Sequence, residues 1–390
     1  MENFIFQNPT KIIFGKDTEN QVGNEVGQYS KKILLHYGGG SIKQTGLYQR
    51  VITSLEEAGI EYVELPGVKP NPRLSLVREG IKLCREHSLS LILAVGGGSV
   101  IDSAKAIGMG VLYTGDVWDF FTGKAIPAET LPVGTILTIP AAGSESSTGC
   151  VITNEDGWFK RPVNSELIYP RFSILNPTLA FSLSKYQAAC GATDIMAHLM
   201  ERYFTNVQNV ELTDRFIEAA LKTVINNISI IMENPNSYEA WSEVMWTGTV
   251  GHNNLLNMGR IGDWASHDIE HELSGIYDVA HGAGLAVIFP AWMKYTYTHD
   301  ITRFAQFATR VWNIDYSHWS PEKTALEGIK RLENFFEFIG MPVTMEELGI
   351  TDDRLEEMAE KCTSSDTSTV GNFVKLGKAD VYNILKLTKK

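Results

Sequence analysis

The sequence is poor in cysteine, has no long apolar run and carries an excess of acidic residues. Its 390 residues contain four cysteines, none in a Cys-x-x-Cys pair, which argues against a disulfide framework and favours a reducing compartment. The net charge of −12 disfavours nucleic acid and anionic membranes as partners, because both attract basic surfaces. The apolar run GLAVIFPAWM is too short to span a bilayer, and MENFIFQNPT does not resemble a signal peptide. We therefore predict a reduced, cytoplasmic protein.

What the sequence does contain, up to about residue 180, is an alternation of short apolar runs and amphipathic stretches. Runs such as KKILLHYG, LSLILAVGGG and VGTILTIPA have the length of buried strands, and LVREGIKLCREH has helical spacing. This alternation predicts a mainly parallel sheet with helices on both faces, which binds ligands at the carboxyl ends of its strands. Beyond that point the chain is almost entirely helix-like. We predict an α/β domain over residues 1–180 and a helical domain over residues 181–390.

Two glycine-rich loops follow predicted strands of the first domain. AVGGGSVID places Gly97, Gly98 and Ser99 between a strand and the start of a helix, where backbone N–H groups suit a pyrophosphate. YGGGS repeats the arrangement with Gly39 and Ser41. Neither loop is a GxGxxG or a Walker motif, and one triple glycine is equally consistent with a structural turn. Two such loops in one parallel-sheet domain favour a dinucleotide.

Four residues of the second domain have the chemistry of metal ligands. Asp194 and His198 are four apart in a predicted helix, so their side chains share one face. His267 and His281 come from HDIEHELSGIYDVAHG, on either side of a break that contains glycine. Each residue alone is better explained as an ordinary polar position on a helix. As a set, one carboxylate and three imidazoles suit iron or zinc better than calcium or magnesium.

These features resemble the iron-containing alcohol dehydrogenase family over the whole chain, through PTKIIFGKD, YGGGSIKQTG, PNPRL, AVGGGSVIDSAK, LTIPAAGSES and the two metal segments. The resemblance implies an N-terminal Rossmann-like dinucleotide-binding domain and an all-helical C-terminal metal-binding domain, the dehydroquinate synthase-like fold. It implies hydride transfer between NAD(P)H and a short-chain primary aldehyde or alcohol, as in the NADP-linked aldehyde reductases and butanol dehydrogenases. The family's ligands fall on Asp194, His198, His267 and His281, with Fe²⁺ expected and Zn²⁺ as the alternative.

The resemblance also implies a set of cofactor contacts. They are Gly39, Ser41, Asn71, Gly97, Gly98, Ser99, Asp102, Thr138, Ser147 and Lys160. Ala142 and Ser147 stand where close relatives often have Thr and Asn. Gly39 occupies the position at which NAD-preferring members carry an Asp. Two like charges 4 Å apart repel by roughly 4 kcal/mol at an effective dielectric of about 20. The absence of that carboxylate favours NADP(H) and leaves NAD(H) open.

His271 matches a family histidine near the metal that does not bind it, and we predict that it shuttles the catalytic proton. The alternative is a structural role as a partner of Asp268 or Glu272. His267, Glu270 and His271 also spell H-x-x-E-H, the inverted zinc-peptidase pattern. A peptidase, and a glycerol dehydrogenase or dehydroquinate synthase-like enzyme of the same fold, are therefore alternative functions.

Two further features concern substrate and assembly. The region around the metal residues is rich in large apolar side chains, namely Trp246, Leu255, Met258 and Trp264. Such side chains would stabilise a bound substrate by burying its aliphatic carbons, which favours a neutral, partly apolar substrate over the charged substrate of a lyase. The N-terminal FIFQNPTKIIFG alternates like an edge strand, and exposed edges pair with other chains. We therefore predict a homodimer.

Overall fold

The computed structural model describes residues 1–350 and 354–389, and the chain forms two compact units. The α/β unit comprises Gln7–Ser184 and Asn236–Asn253, and the helical unit comprises Met1–Phe6, Lys185–Pro235 and Asn254–Lys390. The main division between the two units thus falls between residues 184 and 185. One cut does not separate the two units, because the first six residues belong to the helical unit and the segment 236–253 belongs to the α/β unit. The two-domain boundary at residue 180 stays a prediction.

Eight strands form in the α/β unit. They are β1 (Lys11–Phe14), β2 (Lys32–Tyr37), β3 (Glu61–Leu65), β4 (Leu91–Gly96), β5 (Val133–Leu137), β6 (Gly149–Asn154), β7 (Phe159–Asn164) and β8 (Phe172–Leu175). β6 and β7 make an antiparallel hairpin, and the other six form one parallel sheet in the spatial order β1-β8-β5-β4-β2-β3. The predicted α/β fold with a parallel sheet is confirmed.

Apolar side chains cover both faces of this sheet. Along β2, Leu34 packs into one buried cluster and Ile33 and Leu35 into another, as the alternation of strand side chains requires. The helices of the unit are α1 (Val22–Val26), α2 (Ser41–Gln44), α3 (Leu47–Glu57), α4 (Leu74–His87), α5 (Gly98–Leu112), α6 (Trp118–Phe121) and, later in the chain, α9 (Tyr238–His252). The helices α4 and α5 supply the first cluster, and α1 and α3 supply the second.

The direction in which strands are added to the sheet reverses between β2 and β4. β3 lies outside β2, whereas β4 pairs with the opposite side of β2, and β5 and β8 continue in that direction. The glycine loops 38–40 and 97–98 follow β2 and β4, so they leave the same carboxyl edge on either side of the reversal. Open parallel sheets bind their ligands at such a point.

The helical unit is built from long, mostly buried helices. They are α7 (Lys185–Tyr203), α8 (Glu211–Glu233), α10 (Ala265–Tyr277), α11 (His281–Thr296), α12 (Ile301–Trp312), α13 (Pro321–Phe338), α14 (Leu355–Cys362) and α15 (Lys378–Leu387). α11 packs against both α7 and α10, so the three helices that bear the predicted metal residues are neighbours. The predicted helical C-terminal part is confirmed.

Several local features differ from the sequence predictions. The β6–β7 hairpin was not foreseen, and α9 packs in the α/β unit, where the ring of Trp246 meets Phe14 edge-on at 6.3 Å. The break before His281 does not come from glycine, because Gly275 lies inside α10 and Asp278 ends that helix with a φ of 54°. Across residues 1–350 and 354–389, no helix is long and apolar enough to cross a membrane.

Candidate functional site

The helix α7 presents Asp194 and His198 on one buried face, as their spacing predicts. The two side chains are 4% and 6% exposed, and His198 Nδ1 lies 3.3 Å from Asp194 Oδ1. The helix can be buried almost throughout because its neighbouring residues are Ala, Ile, Met and Leu. A carboxylate and an imidazole are thus held together in an apolar setting.

Two more histidines approach the same carboxylate oxygen. His267 Nε2, from α10, lies 3.9 Å from Asp194 Oδ1, and His281 Nε2, from the first residue of α11, lies 3.7 Å away. The ligand atoms of Asp194, His267 and His281 all lie within 4.8 Å of one another. His198 stands beside this trio, with its ring centroid 4.6 Å from that of His267. The structure therefore brings together all four residues predicted as ligands.

The donor set fits a divalent transition metal. Ligand atoms bound about 2.1 Å from a tetrahedral ion are about 3.4 Å from one another, close to the separations found around Asp194 Oδ1. Asp194 Oδ1 and His267 Nε2 are also buried and accept or donate no hydrogen bond within the described residues. Leaving such groups unsatisfied costs about 1–3 kcal/mol each. A bound cation would satisfy both atoms.

Two buried glutamates hold the outer nitrogens of these rings. Glu201 Oε1 accepts a hydrogen bond from His267 Nδ1 at 2.8 Å, and Glu270 Oε2 accepts one from His281 Nδ1. Burial by itself would lower the pKa of His267, but the carboxylates of Asp194 and Glu201 raise it to about 9. The site is therefore electrostatically negative and suited to a cation.

His271 and Trp264 complete the surroundings of the cluster. The ring of His271 stacks on that of His281, with centroids 5.7 Å apart and an interplanar angle of 29°. Trp264 precedes α10 with a φ of 74°, and its ring lies 5.4 Å from that of His267. The predicted proton shuttle thus contacts the cluster, and an aromatic surface borders it.

In the α/β unit, the loop after β4 leads directly into α5. Gly97 is the N-cap residue and Gly98 the first helical residue, and no acidic side chain occurs in the first turn. An added Cβ would lie 3.0 Å from Ile139 at position 97 and 2.9 Å from Ala142 at position 98. Both glycines therefore make room for the loop after β5. The N-terminus of this 15-residue helix, which includes Ser99, suits an anion.

The loop after β2 is more open. Gly39 and Ser41 are exposed, and an added Cβ at position 39 would meet no atom within 4 Å. Lys43 Nζ lies 3.8 Å from Glu64 Oε2 and 4.6 Å from the centre of the Tyr48 ring. Burial would raise the pKa of Glu64, but two tyrosine hydroxyls and Lys43 hold it below its ordinary value. The nearby lysine is therefore already paired with a carboxylate.

Three of the other predicted cofactor residues are engaged within the protein. Asp102 accepts hydrogen bonds from the Ser144 hydroxyl at 2.6 Å and from the backbone N–H of Val151 at 2.9 Å. The backbone carbonyl of Ser147 accepts a hydrogen bond from the buried ammonium of Lys105 at 2.9 Å. The Thr138 N–H donates to the Gly96 carbonyl at 3.1 Å, and so ties the end of β5 to β4. These contacts fix the chain around the N-terminal half of α5.

The remaining two predicted residues contact each other. Lys160 Nζ, on β7, donates to Asn71 Oδ1 at 3.0 Å, and both side chains are buried. Asn71 has a φ of 54°, which asparagine tolerates better than most residues. The pair links the β6–β7 hairpin to the segment that precedes α4.

Glu201 is not among the residues predicted from the sequence, and Glu270 is predicted there only as part of a peptidase pattern. Glu201 lies seven residues after Asp194, so the helical period that paired Asp194 with His198 also places it on that face. Glu270 accepts its hydrogen bond from His281, eleven residues further along the chain. Only the first of these two could have been found from spacing.

Comparison with known proteins decides the family. Residues 9–177 match the family model for iron-containing alcohol dehydrogenase, and residues 188–388 match the model for its C-terminal part. The chain belongs to the iron-containing alcohol dehydrogenase family. The predicted family and the predicted enzyme class, an alcohol dehydrogenase or aldehyde reductase that uses a nicotinamide cofactor, are confirmed.

The similarity to known proteins covers almost the whole chain. The chain is 43% identical to the probable NADH-dependent butanol dehydrogenase 1 of Bacillus subtilis, over 99% of both chains. It is 32% identical to the NADPH-dependent aldehyde reductase YqhD of Escherichia coli, over 95% of both chains. A crystal structure of NADH-dependent butanol dehydrogenase A from Thermotoga maritima is 40% identical, covers 100% of this chain and 99% of its own, and superimposes with a TM-score of 0.96. Within the alcohol dehydrogenase family, the peptidase pattern is thus a coincidence of spacing.

Proposed function

We propose that this alcohol dehydrogenase transfers a hydride between NAD(P)H and a short-chain primary aldehyde or alcohol of the butanal and butanol type. The observation that carries the proposal is the approach of three histidine rings to Asp194 Oδ1, at 3.3–3.9 Å. Asp194, His198, His267 and His281 would hold a divalent metal, for which the family description favours Fe²⁺ over Zn²⁺. When bound, the metal supplies a Lewis acid that stabilises negative charge on the substrate oxygen.

The dinucleotide is proposed to bind at the carboxyl edge of the sheet, where the strand order reverses. Gly97, Gly98 and Ser99 would bind the pyrophosphate through backbone N–H groups at the start of α5, which has no acidic residue in its first turn. Gly39 and Ser41 would meet the adenosine ribose. The residues proposed nearby are Asn71, Asp102, Thr138, Ser147 and Lys160. Their hydrogen bonds within the α/β unit support a preformed site.

We propose that the enzyme accepts both NADH and NADPH. The preference for NADP(H) predicted from Gly39 is not supported by the 43%-identical relative, whose name specifies NADH, whereas the 32%-identical relative is NADPH-dependent. Lys43 is paired with Glu64, so we expect no strong selection for a 2′-phosphate. The test is the ratio of kcat/KM for NADPH to that for NADH, and a ratio beyond a thousand in either direction contradicts dual use.

Gly39→Asp is the matched variant for this question. The carboxylate would face the 2′-phosphate, and a repulsion of up to roughly 4 kcal/mol corresponds to as much as a thousandfold loss with NADPH. NADH turnover should remain. If both cofactors are affected equally, position 39 does not lie near the adenosine ribose.

His271 is proposed to deliver the proton to the product oxygen and to remove it in the reverse direction. Its ring contact with His281 supports this role, together with the ordinary ability of histidine to titrate near neutrality. His271→Asn should lower kcat by at least tenfold and leave the metal content unchanged. Full activity in this variant would leave His271 with a structural role only.

An apolar substrate is proposed because the Trp264 ring borders the histidine cluster, 5.4 Å from His267 and 6.1 Å from His198. Each buried CH₂ contributes about 0.8 kcal/mol. The value of kcat/KM should therefore rise about fourfold per carbon from ethanal to butanal. Trp264→Ala should flatten this series, and an unchanged chain-length dependence would place the substrate elsewhere.

The decisive assay measures NADPH and NADH oxidation by butanal, on protein loaded anaerobically with Fe²⁺ or Zn²⁺. His267→Ala should lose both the metal and turnover, because His267 contributes a ring nitrogen to the proposed site. His318→Ala, at an exposed position of the helical unit, is the control and should keep both. Intact turnover in His267→Ala would contradict the proposed metal centre.

We propose that the enzyme is a cytoplasmic homodimer. β1 lies at an edge of the parallel sheet, and Phe4, Ile5 and Phe6 expose 51%, 98% and 42% of their surface. Exposed strand edges and apolar segments favour pairing with a second chain. Sedimentation velocity at micromolar concentration should show a dimer, and a monomer would contradict the proposal.

A further inference from the structure

We infer that Glu270 and Glu201 are positioning residues, which turn the Nε2 atoms of His281 and His267 toward Asp194 by binding the opposite nitrogen of each ring. The inference rests on the proposed metal centre and concerns how the chain prepares it. An imidazole has its two nitrogens on different sides of the ring, so a hydrogen bond at Nδ1 fixes where Nε2 points and which tautomer is present.

The pairing of Glu270 with His281 carries most of the argument. Glu270 is fully buried on α10, and its Oε2 accepts from His281 Nδ1. The other nitrogen of the same ring lies 3.7 Å from Asp194 Oδ1. His281 itself is the first residue of α11 and is 24% exposed in its side chain, so packing alone constrains it less than the other ligands. Glu270 supplies that constraint.

Glu201 does the same for His267. Its carboxylate accepts from His267 Nδ1 at 2.8 Å, from the His267 backbone N–H at 3.1 Å and from the Trp264 N–H at 2.6 Å. It therefore satisfies backbone donors at the N-terminus of α10 while it orients the ring. Glu201 lies on the same face of α7 as Asp194, so one helix provides both a ligand and the group that aims a second ligand.

Gly284 is an independent sign that the Glu270 carboxylate is accommodated by the fold. A Cβ at position 284 would lie 2.6 Å from Glu270 Oε1 and 2.8 Å from its Cγ. The position is inside α11 and its φ is not in the left-handed region, so the backbone conformation does not require glycine. Glycine is required there because any side chain would take the space of the Glu270 carboxylate.

Two other roles for Glu270 predict different results. In the peptidase pattern, Glu270 would activate water, but its Oε2 is occupied by the His281 ring. Alternatively, Glu270, His271 and His281 could themselves hold an ion, since their ligand atoms also lie within 4.8 Å of one another. With one ion there and another at Asp194, His281 would use both ring nitrogens, and its Nδ1 would give up the hydrogen bond to Glu270. This arrangement predicts two metal equivalents per chain, whereas positioning predicts one.

The test compares Glu270→Gln with Glu218→Gln, which removes a buried carboxylate that bonds Tyr203 and Arg310 and no histidine of the cluster. For each protein, Zn²⁺ affinity is measured by competition with a chelator, and the Co²⁺-loaded form is examined by visible absorption. Glu270→Gln should bind metal 10- to 100-fold more weakly, in line with losses of outer hydrogen-bond partners, and should have an altered Co²⁺ spectrum. Glu218→Gln should match the unsubstituted protein in both.

Gly284→Ala keeps the carboxylate and displaces it, so it should reproduce the changed Co²⁺ spectrum. The melting temperature of each metal-free protein separates loss of fold from loss of positioning. Equal affinity and spectrum in Glu270→Gln and the unsubstituted protein would overturn the inference, as would two metal equivalents of which Glu270→Gln loses one. If the unsubstituted protein binds no metal, the proposed function fails instead.

Discussion

His36 lies in β2 with no exposed surface, and both of its ring nitrogens make hydrogen bonds. Nδ1 donates to the Leu65 carbonyl at 2.8 Å, so Nε2 accepts from the Ser103 hydroxyl at 2.8 Å. This arrangement suits a neutral imidazole, because a protonated ring has no acceptor to offer Ser103. Burial lowers the pKa of His36 to about 4, and the bond to Leu65 opposes this only in part. We predict that His36 makes the α/β unit sensitive to acid.

The size of the effect follows from the two pKa values. In the unfolded chain the ordinary value is about 6.5, so below that pH the unfolded state binds a proton that the folded state excludes. The free energy of unfolding therefore falls as the pH drops from about 6.5 and stops falling near pH 4. The full difference of about 2.5 pH units corresponds to about 3 kcal/mol. About 2 kcal/mol of it is lost by pH 5.

The assay is urea unfolding of the unsubstituted protein and of His36→Asn, at pH 7.5 and pH 5. Asparagine can donate to Leu65 and does not titrate, so the variant lacks this proton linkage. Other titrating groups, including the histidines of the metal cluster, are shared by both proteins and cancel in the comparison. The unsubstituted protein should lose about 2 kcal/mol more than the variant between the two pH values.

His87→Asn is the matched control, because His87 is exposed in the last turn of α4 in the same unit. Its stability should follow that of the unsubstituted protein with pH. Parallel losses in His36→Asn and the unsubstituted protein would refute the reasoning. So would an NMR titration that places the pKa of His36 near 6.5.

Three other substitutions test close contacts. Gly282→Ala should weaken metal binding at least tenfold, measured by chelator competition, and should lower Tm, measured by calorimetry. The reason is that the added Cβ would lie 2.1 Å from the Cys190 carbonyl oxygen and push α11 away from α7. Gly98→Ala should weaken NADH binding at least tenfold in a fluorescence titration, because the Cβ would meet Ala142 at 2.9 Å and move the pyrophosphate loop. Lys105→Met should destabilise the α/β unit by about 3 kcal/mol in urea unfolding, because it removes a buried ammonium bonded to two backbone carbonyls. Unchanged values in these measurements would contradict the contacts on which each prediction rests.

Much of this architecture could be predicted because it follows from local patterns. The apolar runs KKILLHYG, LSLILAVGGG and VGTILTIPA form β2, β4 and β5, and the spacing of Asp194 and His198 does put them on one helix face. A short apolar run bounded by glycine or proline buries both faces wherever it lies in the sheet, so its prediction needs no knowledge of partners.

Features that depend on distant partners could not be predicted in this way. The apolar face of α9 gives no indication that it packs with the α/β unit rather than with the helices that flank it in sequence. The neighbours of the glycine loops could not be predicted either. The glycine content predicted close approach of a ligand, yet at Gly97 and Gly98 the immediate neighbours are Ile139 and Ala142 of the protein itself. Which residues contact a loop depends on the tertiary structure and not on the composition of the loop.

The H-x-x-E-H segment makes the same point about function. Its local spacing is compatible with two chemistries, because His267, Glu270 and His271 share one face of α10 in either case. The two chemistries are distinguished by the contact between Glu270 and His281, eleven residues further along the chain. The His281 ring donates a hydrogen bond from Nδ1 to the Glu270 carboxylate. Asp194 then reaches the cluster from another helix, so the histidines converge on a carboxylate rather than on a water held by Glu270. A motif of this kind therefore specifies which groups are available, and the helices packed against it determine what those groups do.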